Sequence, residues 1–210
     1  MTSIASITLE VDDTAAAEQF YATALGLGSG LRLRTAAAPM AGFRGFTLAL
    51  TVSQPADVAK LVEDALAAGA TPLKPVSKSL WGYGGVVQAP DGTIWKVATS
   101  AKKDTGPATG TIDERVLLLG VADVKASKRF YVEQGLTVAK SFGGKYAEFT
   151  GGGPDRFKLA LYKRAGLAKD LGVTDDGSGS HGIALTGTGA AFTDPDGFTW
   201  EAASLTPTRP

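Results

Sequence analysis

His181 is the single histidine of the chain, and Glu201 stands further along in a strand-like stretch. An imidazole and a carboxylate can act as an acid–base pair if the fold brings them within hydrogen-bond reach. The same two groups can supply half of a divalent metal site. The plainer reading is a loop-edge histidine beside Gly179 and Gly182, and a solvent-facing strand glutamate. Trp81 and Tyr83 sit in a glycine-rich stretch, where aromatic side chains can wall a small-molecule pocket, or simply pack in a core. Arg32 and Arg34 share one strand face and Arg44 lies further along, so guanidinium groups are available for a carboxylate or phosphate. With 0 cysteines, thiolate ligands, cysteine nucleophiles and disulfides are all excluded.

Bulk composition narrows the classes further. Of 210 residues, 44% are hydrophobic and 20% charged, which suits a packed globular chain of one or two domains. Lys plus Arg and Asp plus Glu are each 21, so the basic excess of a nucleic-acid binder is missing. No stretch reaches the apolar length of a membrane span, and Met1 to Glu10 carries no basic segment before an apolar one. A cytoplasmic protein with no nucleic-acid or membrane partner is therefore expected.

The elements that must position these residues occur twice. Val11-Asp12-Asp13-Thr14-Ala15-Ala16-Ala17-Glu18-Gln19-Phe20-Tyr21 matches Val121 to Tyr131 at Val, Asp, Ala, Phe and Tyr. Pro90-Asp91-Gly92 before Trp95 matches Pro195-Asp196-Gly197 before Trp200. Each copy opens on an alternating strand (Ile4–Val11; from Arg115), then a helix with Asp13 or Thr14, and Asp123, as cap candidates. Gly26 is placed to stop the first helix. The first copy continues with strands at 31–35 and 46–52, a helix at 56–68, and strands at 71–76, 86–88 and 93–98. The second has strands at 137–142, 146–150 and 157–162, a helix or loop at 165–172 and a mobile-looking 175–180. Strands at 182–186, 190–193 and 199–203 close it. Both Pro-Asp-Gly triplets read as turns. Residues 101–112, polar and rich in Gly, Pro and Thr, read as a linker between a unit at 1–100 and a unit at 113–205, with a tail at 206–210. The first copy lacks a strand pair in its front half, and the second lacks a helix and a strand in its back half. That points to a sheet or core shared between the copies.

This arrangement resembles the vicinal-oxygen-chelate superfamily, the fold of glyoxalase, bleomycin-resistance protein and extradiol dioxygenase. The resemblance is carried by Val11 to Leu27, Val121 to Leu136, Pro90 to Val97 and Asp194 to Glu201, with Trp81-Gly82-Tyr83-Gly84-Gly85 also similar. It implies an α+β fold of two tandem βαβββ-type copies whose curved mixed sheets enclose a cavity. In metal-using members it implies four strand ligands, usually His or Glu. Carried over, these positions fall on Ser6 and Val116, on Lys96 and Glu201, at Thr47 and His181, and near Ala160. Only His181 and Glu201 could coordinate a metal, fewer than the three protein ligands of an ordinary divalent catalytic site. The expectation is a small-molecule-binding protein that works without metal or other cofactor, in sequestration or resistance, as a monomer or homodimer. Trp81, Tyr83, Arg32, Arg44 and Lys96 are its candidate binding residues. A metal-dependent lyase, isomerase or dioxygenase using His181 and Glu201, and a structural domain without a reaction, are the alternatives.

Overall fold

The computed structural model describes residues 3–27, 31–80, 82–151 and 155–203. Trp81, the Gly28–Gly30 turn, the Gly152–Pro154 loop and the 206–210 tail lie outside the described residues. The first half contains β1 (Ile4–Val11), α1 (Thr14–Leu25), β2 (Leu31–Thr35), β3 (Ala41–Gly42), β4 (Phe46–Thr51), α2 (Pro55–Ala67), β5 (Thr71–Ser79), β6 (Gly82–Gln88) and β7 (Ile94–Thr99). After the linker come β8 (Glu114–Val121), α3 (Val124–Glu133), β9 (Val138–Phe142), β10 (Tyr146–Phe149), β11 (Phe157–Lys163) and α4 (Arg164–Leu171). The chain ends with β12 (Gly177–Ser178), β13 (Ile183–Gly187), β14 (Phe192–Thr193) and β15 (Thr199–Ala202).

The helix starts obey local chemistry. Asp13 accepts from the Ala16 amide at 3.0 Å and Asp123 from those of Lys125 and Ala126, which satisfies first-turn donors that have no helical partner. Gly26 ends α1 at φ 55°, a conformation that costs a glycine little. Two segments depart from expectation. Residues 175–180 hold β12, which pairs with β3 rather than moving freely. The glycine run before Val86 is strand, so β6 begins at Gly82. Of the two readings of 165–172, helix or loop, the structure takes the helix, as α4.

The strands assemble across the linker. An eight-stranded sheet has the order β5-β6-β7-β4-β8-β11-β10-β9, and a five-stranded sheet the order β14-β15-β13-β1-β2. In the first, β4 from the first half meets β8 antiparallel from Phe46↔Leu119 to Thr51↔Glu114. In the second, β1 meets β13 antiparallel, from Ile4↔Gly187 to Leu9↔Ile183. Each sheet thus takes strands from both sides of the linker. The segments β4-α2-β5-β6-β7 and β8-α3-β9-β10-β11 are complete βαβββ units, each with its first and last strands adjacent and parallel. The remaining two units are reduced, to β1-α1-β2 and to β13-β14-β15.

One large core joins both sheets. It holds Ile7 and Leu9, Leu48 and Leu50, Trp95, Leu117 and Leu119, Leu185 and Trp200, with Tyr21 of α1, Leu61 of α2 and Tyr131 of α3. The repeated motif fastens the sheets together. Tyr21, on the helix after β1, donates to Asp91 in the β6–β7 turn at 2.6 Å. Tyr131, on the helix after β8, donates to Asp194 before β15 at 2.6 Å, and Trp200 Nε1 donates to the same phenol oxygen at 3.3 Å. Burial, then the adjacent aspartate charge, pushes both phenols well above the usual tyrosine range. Burial also raises the Asp194 carboxyl, against the hydrogen bond from Tyr131, which lowers it.

The linker is pinned rather than slack. Gln54 accepts from the Thr105 and Gly106 amides and donates to the Pro107 carbonyl, while Asp57 accepts from the Thr109 and Gly110 amides at 2.6 and 2.8 Å. Asp104 in turn accepts from Ala56 in the first turn of α2. Burial alone would raise the Asp57 carboxyl, but these hydrogen bonds overcome it and the net shift is downward. A depressed folded value means that Asp57 stabilises the fold above its unfolded pKa, and that this is lost as pH falls through the folded value. Asp57→Asn is therefore expected to flatten the acid limb of stability between those two values. It should also cost about 1.5–3 kcal/mol at neutral pH, as for hydrogen bonds to a charged group. Urea denaturation against pH measures both effects, and an unchanged acid limb would refute the assignment.

Candidate functional site

Turning away from the large core, the other face of the eight-stranded sheet carries the row Val86, Lys96, Ala49, Val116, Lys158, read from the pairings of β6, β7, β4, β8 and β11. Over this face lies α4. Its Leu167, Ala168 and Leu171 are buried in a second, smaller core with Phe43, Val86 and Ile94, and Leu73, Leu118 and Tyr162 pack against them. The C-terminal turn of α4 is held electrostatically. Lys74 Nζ donates to the Lys169 and Asp170 carbonyls, the exposed acceptors at a helix end, and Lys96 Nζ meets the Asp170 carboxylate at 2.5 Å.

Beside α4 a groove of about 320 Å³ remains, lined by Lys74, Ser77, Tyr83, Gly84, Lys96 and Asp170 among others. Its floor is bare because β6 is glycine-rich. A Cβ on Gly82 would lie 2.0 Å from the Thr99 carbonyl, and one on Gly84 3.0 Å from that of Val97. Close backbone approach thus demands glycine there and leaves the surface open. On the far side of α4, the buried Glu148 accepts from the Tyr146 phenol at 2.8 Å and lies 3.6 Å from Lys158, which also pairs with Glu114 at 2.7 Å. Burial, then Glu148, raises the Tyr146 phenol.

The corresponding face of the five-stranded sheet is polar. Ser6, Thr186 and Glu201 form one row across β1, β13 and β15. Arg34 reaches over it, donating to Glu10 at 2.8 Å and to Glu201 at 2.6 Å, and these carboxylates raise its own pKa.

The candidate residues do not gather at one point. Tyr83 and Lys96 share the groove beside α4. Trp81 is outside the described residues. Arg32 lines a separate cleft of about 700 Å³ between α1 and β2. Arg44 is buried, donating to Thr93 Oγ1 at 2.5 Å, with its guanidinium 5.4 Å from the Phe46 ring centre. Desolvation lowers its pKa, and the nearby Asp91 charge partly offsets this. His181 has Nδ1 2.6 Å from the Arg44 carbonyl oxygen and Nε2 3.0 Å from that of Asp196, and its ring stacks on Phe198 at 3.9 Å. Both ring nitrogens therefore face backbone acceptors, which leaves neither turned toward a metal or substrate. Glu201 pairs opposite Thr186 toward the C-terminal end of β13, whereas His181 precedes the first residue of that strand.

A divalent metal finds little to bind in either row. Lys96, Ala49, Val116 and Lys158 offer two ammonium groups and two hydrocarbon side chains. Ser6, Thr186 and Glu201 offer one carboxylate, already ion-paired, and two hydroxyls; the Ser6 hydroxyl is buried without a hydrogen-bond partner among the described residues. Zinc sites use imidazole, thiolate and carboxylate, and calcium sites use six or more oxygens. The residues present match neither set. The fourth strand position, expected near Ala160, is displaced. The register sets Ala160 against Leu118 in the neighbouring row and puts Lys158 in the row of Lys96.

No protein-family model matches the sequence, and no curated protein matches it. Solved structures do. Glyoxalase I from Zea mays superposes with a TM-score of 0.62 at 16% identity, over 96% of this chain and 92% of its own. A candidate dioxygenase from Bacillus subtilis subsp. subtilis str. 168 superposes at 0.56 and 14% identity, over 92% of this chain and 71% of its own. These likenesses establish the fold: the chain has the glyoxalase, or vicinal-oxygen-chelate, fold.

Proposed function

We propose that this glyoxalase-fold chain binds a small molecule without a metal, in the groove between β5–β7 and α4. The observation that carries the reading is the row Lys96, Ala49, Val116, Lys158 with α4 docked over it. Charge and bulk there oppose a cation, while the glycine floor leaves room for a ligand. Lys74 and Lys96 form a cationic wall and Ser77, Ser79 and Thr99 supply hydroxyls. That chemistry favours a small anionic ligand, such as a carboxylate, held by charge-assisted hydrogen bonds. Sequestration needs nothing more, and Lys96 and Asp170 would exchange part of their mutual contact for the ligand.

A thermal-shift screen of small carboxylates, run with and without chelator, tests the reading, because a ligand of the folded state raises Tm. Stabilisation is expected to be indifferent to chelator and to weaken about tenfold in apparent affinity in Lys96→Met, the loss of one charged contact of about 1.4 kcal/mol. Stabilisation by a divalent ion that chelator abolishes would overturn it.

A further inference from the structure

We infer that the cleft between α1 and the outer edge of β2 is a docking groove for an extended peptide segment of another protein, one that alternates small apolar and acidic residues and adds to the five-stranded sheet as a strand. The chain supplies its own template for this. In the complete unit, β7 lies parallel to β4, and β6 and β5 continue the sheet beyond it beneath α2. In the reduced unit, β2 lies parallel to β1 in the place of β7, but no described strand pairs with its other edge. Where β6 and β5 would lie there is instead the cleft of about 700 Å³, walled by Thr14, Glu18 and Ala22 of α1 and by Leu27, Leu31 and Leu33.

The groove has the backbone chemistry of a strand acceptor. The Ala36 amide donates to the Val11 carbonyl at 2.9 Å. Since strand amides alternate in direction, those of Leu31, Leu33 and Thr35 point away from β1, toward the cleft. The 5 residues of β2 span roughly 17 Å, and the 12 of α1 roughly 18 Å, so edge and wall match in length. A strand laid along such an edge makes main-chain hydrogen bonds while alternate side chains enter the pocket. Here the inward side chains meet Leu31 and Leu33, which selects small apolar residues.

Charge decides the other face. Arg32 and Arg34 point to the side opposite Leu31 and Leu33. Arg34 is occupied by Glu10 and Glu201, whereas Arg32 is exposed and has no ion pair among the described residues. Acidic residues on an added strand would stand beside it. Self-pairing of two β2 edges is disfavoured, because antiparallel register about Leu33 sets Arg32 against Arg34 of the other copy, and like charges directly opposed destabilise a sheet.

The probe is a blocked peptide of sequence Glu-Val-Glu-Ala-Glu-Val-Glu, titrated into the full chain by calorimetry, with hydrogen–deuterium exchange measured over 31–35. Saturable binding with Kd below about 1 mM is expected, with slowed exchange in β2. Replacing the glutamates by lysine should abolish it. Arg32→Glu, at an exposed position, should weaken it about fivefold or more. Thr35→Pro removes an outward amide and should also weaken binding, while Thr35→Val retains it. Absence of saturable binding, binding indifferent to both Arg32→Glu and Thr35→Pro, or equal binding of the lysine peptide overturns the proposal. So does a dimer in sedimentation whose dissociation alone exposes β2.

Discussion

Trp200→Ala is expected to lower the unfolding free energy by about 3–5 kcal/mol, the range for truncating a fully buried aromatic. Trp200 is 1% exposed, stacks on Phe192 at 5.2 Å, lies 5.8 Å from the Tyr131 ring and donates to its hydroxyl. It is one side of the Tyr131–Asp194 fastening between the two sheets, so its removal opens a cavity and loosens a cross-sheet bond together. Trp200→Phe keeps most of the packing and loses the donor, and should cost only about 1 kcal/mol beyond the small volume change. Tyr131→Phe removes the hydroxyl that Asp194 accepts and should cost about 1.5–3 kcal/mol. Urea denaturation of the three variants orders them. If Trp200→Ala proved no worse than Trp200→Phe, the cavity argument would fail.

Leu171→Ala is expected to cost about 2–5 kcal/mol and to free α4 locally. Leu171 is fully buried and anchors the C-terminal turn, whose carbonyls take Lys74 and whose Asp170 holds Lys96. With the anchor gone, amide exchange over 164–171 should accelerate well before global unfolding, because the helix is short and its stability comes from the face it buries. A loss under about 1 kcal/mol, with exchange unchanged, would show that α4 is held by its ion pairs rather than by its apolar face.

The parts of this fold legible in the sequence are those written in local chemistry. Asp13 and Asp123 cap as their oxygens suggest, Gly26 stops α1, and both Pro-Asp-Gly triplets turn between strands. The missing strand pair of the first half and the missing helix of the second are visible as shortfalls in length, and each sheet takes strands from both sides of the linker. The parts not legible depend on register and docking. His181 and Glu201 look like a pair in sequence. Which residue stands opposite Glu201 is set by the alignment of β15 on β13, and no local signal fixes that. The helix α4, eight residues long with Gly166 inside it, reads as helix or loop in the sequence, and only the surface it covers explains Leu167 and Leu171. The β3–β12 pair is two residues on each side, too short for alternation to show. Asp91 and Asp194 read as turn residues, and their bonds to Tyr21 and Tyr131 emerge only when the sheets meet.

That strands from opposite ends of the chain share a sheet bears on the order in which the protein can be made. Leu9 pairs with Ile183, and 183 − 9 = 174 further residues must be made after Leu9 before that partner exists. At about 5–20 residues per second on a ribosome, β1 waits roughly 9–35 seconds for its antiparallel neighbour. During that interval β1 has only β2 of its sheet beside it, although the eight-stranded sheet needs nothing beyond Lys163 and can close first. β1 can therefore pair with β13 only after every strand of the eight-stranded sheet has been made.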